Sequence, residues 1–363
     1  MGTCECMRKL PTHDGLVRSS KEVMPVPAAV PRLVAIAFAA LALLPVSALA
    51  QQNPRAEALL AQLPFSDSER QQIMAGKLVT TASREQTSDR ELAITMAFLI
   101  KEPPSDLIAM FEKAHQYDID KSATAHGELH GDGSLADLQG LHLKPDADAA
   151  AKRYADASPG TDLNLSAAEI AEFRALPDKT TAAVEEELRK VLLARYQAYR
   201  AQGLAGIAPY DRGGGKSTNP AEDLKRATNA SPVLAREAPE VVAALLNYPK
   251  SQPAKATEKF FWVNFDIDDK PTIALTHRLV SPQADGTYVV ADRHYYVSRS
   301  HNDVQAIGGI FPVQEGALVI YANRTFTDQL GGFGASAKQA IGRKIMGGQI
   351  AAFYEQLRAK AKQ

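Results

Sequence analysis

His126, Glu128, His130 and Asp132 lie within one short stretch, HGELHGD, and all four side chains can donate to a metal. On a strand, alternate residues share a face, so these nitrogen and oxygen donors would converge on one ion, with His142 as a further ligand. The helical H-E-x-x-H zinc signature is absent. Gly127, Gly131 and Gly133 favour a polar surface loop. No metal is therefore assigned, and His126, His130 and Asp132 stand as weak candidates. A second group sits late in the chain. His277 lies within TIALTHRLV, and TYVVADRHYYVSRS carries His294, Tyr296 and Ser298 on one alternating face with Tyr295, Val297 and Arg299 on the other. Asn323, Arg324 and Asp328 close the last apolar stretch. These groups suit one of two tasks: fixing the polar head of a ligand whose body is held by apolar side chains, or forming a structural hydrogen-bond network at a sheet rim. GGGKST (213–218) fails as a phosphate loop, because the residue five before Gly215 is Tyr210 and Asn219-Pro220 interrupts the stretch after Thr218. It reads as a flexible loop. No G-x-S-x-G elbow appears, and no spacing calls for a cofactor.

The elements that must position these residues are legible in the apolar pattern. FFWVNFDI (260–267), TIALTHRLV (272–280), TYVVADRHYYVSRS (287–300), AIGGIFPV (306–313) and ALVIYANRTF (317–326) read as strands of an antiparallel meander. A long helix comes after Gly331-Gly332, with Phe333, Ile341, Ile345, Phe353 and Leu357 as its apolar anchors. Gly342, Gly347 and Gly348 interrupt it. Each costs about 1 kcal/mol relative to Ala, so either the helix breaks near 347–348 or a close backbone approach offsets the cost. Earlier, Pro54–Gln62 and Ser66–Gly76 read as short helices, Lys77–Ser83 and Glu91–Ile100 as strands, and Ser105–His115 as a helix opened by Pro103-Pro104. Residues 116–145 read as irregular. Ser166-x-x-Glu169 is a capping box for Ala167–Leu176. Thr180–Gln202 ends at Gly203, Asn219-Pro220 opens a further helix, and Pro239–Leu246 forms another. If Glu91–Ile100 joins the late meander, the fold is α+β, one domain over 76–363 with a helical insertion at about 140–250, preceded by a helical lead at 51–75.

That order resembles the START-like, or helix-grip, superfamily, on the pieces ELAITMAFLIKEPPSDLIAMFEK (91–113), the strands of 260–326 and the helix after GGFG (331–334). The chain also looks like a group of uncharacterised exported bacterial proteins in GKLVTT (76–81), DLNLSAAEIAEF (162–173), YYVSRS (295–300) and YANRTFTDQLGGFG (321–334). The resemblance implies a curved antiparallel sheet gripping the long C-terminal helix around an apolar cavity. It also implies a lipid-like or other apolar ligand; the polar groups of the late strands make His277, Tyr296, Arg299, Asn323 and Arg324 the candidates to hold its head. The helical stretch at 140–250 is extra to a minimal member.

Leu33–Leu44 is an apolar run of twelve residues between Arg32 and Pro45, followed by Ala48-Leu49-Ala50. That is the pattern of a secretory signal peptide cleaved near Ala50, with Met24 a possible true start. A membrane span needs roughly twenty residues. Residues 1–50 hold both cysteines, Cys4 and Cys6, so the remaining chain has no disulfide or thiolate chemistry. They also hold five basic and three acidic residues, so the formal net charge moves from −1 to −3. With no basic cluster, nucleic acid and anionic lipid surfaces are poor partners. The expectation is a periplasmic or secreted, cofactor-free binding protein for an apolar or amphipathic molecule such as a lipid, with no stable membrane anchor. The alternatives are a hydrolase or cyclase using His277 or the His126/His130 cluster, and a partner-docking protein acting through the insertion.

Overall fold

The computed structural model describes residues 54–83, 86–113, 116–314, 316–330 and 335–360. The expected signal peptide lies outside them. None of the described helices is long and apolar enough to cross a membrane. Two short helices lead, α1 (Pro54–Leu60) and α2 (Asp67–Met74). The Ser66–Glu69 capping box starts α2 by satisfying two of its orphan backbone donors. Strands β1 (Val79–Ala82) and β2 (Glu91–Ile100), helices α3 (Pro104–Lys113) and α4 (Gln116–Ile119), and strand β3 (Ala123–Leu129) come next. The insertion holds α5 (Ala147–Ala155), α6 (Ala167–Ala175), α7 (Thr181–Gln202), a hairpin of β4 (Tyr210–Gly213) and β5 (Lys216–Thr218), then α8 (Pro220–Asn229), α9 (Pro232–Glu237) and α10 (Pro239–Asn247). The meander is β6 (Thr257–Asp266), β7 (Pro271–Pro282), β8 (Tyr288–Val297), β9 (Asp303–Val313) and β10 (Gly316–Phe326), and α11 (Ala335–Lys360) closes the chain.

The fold is α+β, built on an eight-stranded antiparallel sheet of order β1-β2-β10-β9-β8-β7-β6-β3. The early strand β2 pairs with the last strand of the meander along its whole length, Glu91 opposite Phe326 through Ile100 opposite Ala317. All ten of its residues are buried, so its continuous apolar run is explained by cover on both faces. On one face Leu92, Ile94, Met96 and Phe98 join Leu107 and Ile108 of α3, Tyr117 and Ile119 of α4, and Met346 and Ile350 of α11 in one core. On the other, Ala97, Leu99, Leu318 and Ile320 meet the lead helices. There too α10 covers Leu279, Val289 and Ala291, and α5–α7 cover Phe260, Trp262, Leu275 and Tyr295. The insertion thus spends its apolar face on the sheet, opposite α11.

Several expectations change. Residues 123–129 form a strand, although their glycine content reads as a loop. Gly127 is there because Trp262 of β6 crosses it: a Cβ at 127 would sit 2.5 Å from Trp262 Nε1, whose N–H donates to the Asp137 carbonyl at 2.7 Å. Gly127→Ala should therefore cost about 1–3 kcal/mol, the usual penalty for overpacking, read as a lower denaturation midpoint; an unchanged midpoint would remove the steric account. The stretch 211–217 is a hairpin turning through Gly213, Gly214 and Gly215, all at positive φ, and Lys216 in it is exposed. Helix α11 runs unbroken past Gly347 and Gly348. Close approach offsets part of its glycine cost, since a Cβ at Gly342 would lie 2.8 Å from Leu92 and one at Gly347 3.2 Å from Thr80. Its buried anchors are Met346 and Ile350, while Ile341 and Ile345 are exposed at 45% and 39%. Side chains 333, 353 and 357 lie outside the described residues.

Candidate functional site

A polar belt crosses the sheet face that carries α4 and α11. Strand register builds it in rows across β10, β9, β8 and β7. One row is Asn323, Ala306, Asp292 and Arg278; the next is Thr325, Val304, His294 and Thr276; a third is Tyr321, Gly308, Val290 and Val280. The β9 contributions, Gly308, Ala306 and Val304, are the smallest side chains in their rows or nearly so, so the floor is low where its flanks are polar. Arg278 Nε donates to Asp292 Oδ2 at 2.9 Å, and its guanidinium stands over the Phe261 ring at 5.3 Å. Tyr117 Oη and Thr276 Oγ1 lie 3.1 Å apart. Asn323 Nδ2 donates to Tyr321 Oη at 3.0 Å, and Thr325 Oγ1 donates to Asn323 Oδ1 at 2.9 Å.

His294 is the exception within this network. It is fully buried, and neither ring nitrogen has a hydrogen-bond partner among the described residues. Its ring lies parallel to Phe265, with centroids 6.2 Å apart. Burial holds its pKa well below the ordinary imidazole value, helped by His301 and Arg278. The side chain is therefore a neutral imidazole at neutral pH, with one N–H and one lone pair to offer. His301, with ring centroid 6.3 Å away, is pushed down to about 3 by burial and Arg299. Its Nδ1 meets Ser300 Oγ at 2.8 Å, whereas its buried Nε2 has no partner among the described residues.

The five residues expected to bind together are divided between the two faces. Asn323 lies in the belt. His277 is on the opposite face, stacked on Phe260 at 4.5 Å, with Nδ1 3.0 Å from Tyr199 Oη and Nε2 3.5 Å from Glu258. Burial lowers its pKa, and Glu258 offsets part of that. Arg200 in turn holds Glu258 at 2.5 Å, and Arg293 donates to Tyr199 at 3.2 Å. These contacts link α7 to the sheet, with His277 Nε2 left buried beside Glu258 without a hydrogen-bond partner among the described residues. Tyr296 faces the same way beneath the Arg195 guanidinium, 4.2 Å from its ring centroid. Strict alternation puts Tyr295 and Tyr296 on different faces, but a register shift in the β7–β8 ladder between Leu275 and Thr276 places both in the core under the insertion. Arg299 donates to the Ile267 carbonyl at 3.1 Å. Arg324 pairs with buried Glu91 at 2.6 Å and donates to the Ala230 carbonyl at 2.8 Å.

The early donors also separate. His126 Nε2 meets Asp118 at 2.9 Å, His130 Nδ1 meets Asp137 at 3.3 Å, and His142 Nδ1 meets Glu185 at 3.0 Å. The Asp132 carbonyl accepts from Gln197 at 3.2 Å. Among the described residues no group of three or more His, Cys, Asp or Glu side chains is arranged to hold a metal ion. Sequence reasoning missed the Arg278–Asp292 pair and the small floor of β9, since both are properties of register between strands. Their only local trace is the alternation of Arg278, Thr276 and His294, Asp292 within otherwise apolar strands.

No known family, curated protein or solved structure matches this chain.

Proposed function

We propose that the chain is a soluble binding protein for an apolar or amphipathic small molecule such as a lipid, exported to the periplasm or beyond after cleavage near Ala50. In this reading the antiparallel sheet curves around α11 in helix-grip fashion. The ligand's body lies over the low floor of Val304, Ala306 and Gly308, and its polar head meets His294 and the Asn323 amide. One observation carries it: a fully buried His294 whose two ring nitrogens have no partner among the described residues. Leaving a buried donor or acceptor unmade costs about 1–3 kcal/mol, and a ligand hydroxyl or carboxyl would recover that cost. His277 has Nδ1 engaged by Tyr199 and Nε2 facing Glu258, and the early histidines are dispersed, so the hydrolase or cyclase alternative has less support than the doubly unpartnered His294 gives to binding.

Native mass spectrometry of the chain from Gln51 onward, purified without detergent, tests the proposal. The expected result is an adduct of lipid or sterol size that leaves on denaturation. His294→Phe should weaken retention at least tenfold while the melting temperature holds or rises, because an apolar replacement removes the unsatisfied group. A bare mass, or full retention in His294→Phe, would overturn the assignment.

A further inference from the structure

On the sheet face opposite the belt is a cleft of about 190 Å³. Three separate parts of the chain build its walls: Leu63 from the lead, Val233 from α9, and Ile307, Phe311 and Ile320 from β9 and β10. The floor is hollow for a simple reason. Ala322 stands between Ile320 and Arg324 on this face of β10, opposite Thr95 of β2 and Ile307 of β9, where a larger residue would fill the space. One end is polar. Ser83 Oγ and Thr95 Oγ1 lie 3.0 Å apart and share one hydrogen bond. Two hydroxyls carry two protons, and the pair uses one, so the other hydroxyl can donate into the cleft. Arg324 also reaches this wall, but its charge is answered by Glu91 at 2.6 Å and its other end by the Ala230 carbonyl. The lining therefore offers a guest no uncompensated charge.

We infer that this cleft is a second ligand site, for a small neutral ring compound bearing one hydrogen-bonding oxygen. The size fits. A dry apolar cavity of about 150 Å³ takes benzene, and the extra volume here admits a methyl group and an oxygen. The apolar walls hold the ring, and the Ser83–Thr95 pair donates to the oxygen. An anion would find Arg324 already neutralised by Glu91, and a cation would find no carboxylate in the lining. The site is independent of the belt around His294, which lies on the other face of the sheet.

4-Methylphenol and p-xylene, equal in shape and differing only in the oxygen, are the probes. Binding to the intact chain is followed by methyl-region NMR titration. The expected result is saturable shifts at the Val233, Ile307 and Ile320 methyls, with 4-methylphenol binding at least tenfold more tightly than p-xylene. Thr95→Val should erase that preference. Ala322→Leu should abolish binding of both, and His294→Phe should leave both unchanged. Should Ala322→Leu fail to fold, Val233→Phe closes the cleft from the α9 side and must give the same loss. The inference falls if neither probe saturates the wild-type methyls, if Thr95→Val keeps the preference, or if the filled variants bind as wild type does.

Discussion

Replacing Arg212 by alanine should lower the unfolding free energy by about 2–3 kcal/mol, the cost of leaving part-buried acceptors without the charged donor they share. Arg212 lies in β4, on the hairpin of the insertion, and ties that hairpin to three other parts of the chain. Its Nε donates to Asp328 at 2.9 Å and to Thr218 at 3.0 Å. Nη1 donates to the Gly160 carbonyl at 2.6 Å, and Nη2 donates to Asn164 Oδ1 at 2.7 Å and Asn302 Oδ1 at 3.1 Å. Asn164 in turn donates to the Val297 carbonyl at the end of β8 and to the His301 carbonyl in the turn before β9. Burial pushes the Asp328 carboxyl upward, but Thr218, Arg212 and Arg90 more than compensate and hold it below the ordinary range. Without Arg212, Asp328 keeps only Arg90 and the Thr218 hydroxyl, and two buried amides lose an anchor. Arg212→Lys should recover little, because a point charge cannot reproduce a fork that binds several partners in a plane. Chemical denaturation reads the result, and a loss below about 1 kcal/mol would show that the hairpin is held by other contacts.

Asp303→Asn should stabilise the protein at neutral pH by more than about 1 kcal/mol, with the gain disappearing in acid. Asp303 is fully buried at the start of β9, and neither carboxyl oxygen has a partner among the described residues. Burial raises its pKa well above the ordinary value, and nearby Asp223 and Asp328 add to this against the charges of Arg90 and Arg293. The group is thus neutral when folded at a pH where the unfolded chain has it ionised. A raised folded pKa contributes its stability fully below the unfolded value near 3.8. That contribution is lost as pH rises toward the folded value, at about 1.4 kcal/mol for each pKa unit of the difference. Asparagine has the shape of the neutral acid and no such titration. Melting curves of the two proteins should therefore meet near pH 4 and separate as pH rises. Parallel curves, or a less stable variant at pH 7, would mean that the carboxylate is charged and paired. The buried histidines act in the opposite sense. Their depressed values mean that stability falls as pH drops below the ordinary imidazole value near 6.5.

The α+β class, the five meander strands and the pairing of β2 with them come from apolar runs that chain chemistry punctuates clearly. Thr180 caps α7 through the Ala183 N–H, Gly203 ends it at φ 59°, and Asn219-Pro220 opens α8. The elements that escaped are those whose residues answer to a distant neighbour. Gly127 looks like a loop residue until Trp262 is placed over it, and Arg212 looks like part of a flexible turn until Asp328 and Asn302 arrive from the far end of the chain. The phase of α11 was hidden because alanines and glycines surround its isoleucines, and the side it buries is set by Leu92 and Thr80 of the sheet. The candidate site was harder still. Local alternation assigns Tyr296 and His294 to one face, and a single extra residue in β8 separates them. Of the expected head-group residues only Asn323 lies in the belt.

The pairing of β2 with β10 has a consequence for how the chain is made. Among the described residues, ten consecutive residues that are wholly buried at the end are synthesised early, and apart from the short β1 they have no sheet partner until residues 316–326 emerge. A nascent chain therefore carries an unpaired apolar strand through the synthesis of the whole insertion and four strands of the meander. Closing so long a loop is an entropic cost met before its contacts form, which slows assembly and exposes a sticky edge meanwhile. Truncation anywhere before Gly316 should give aggregation in place of a smaller folded unit. The finished sheet becomes available only after β10 has been made, so the sheet is the last part of this unit to close.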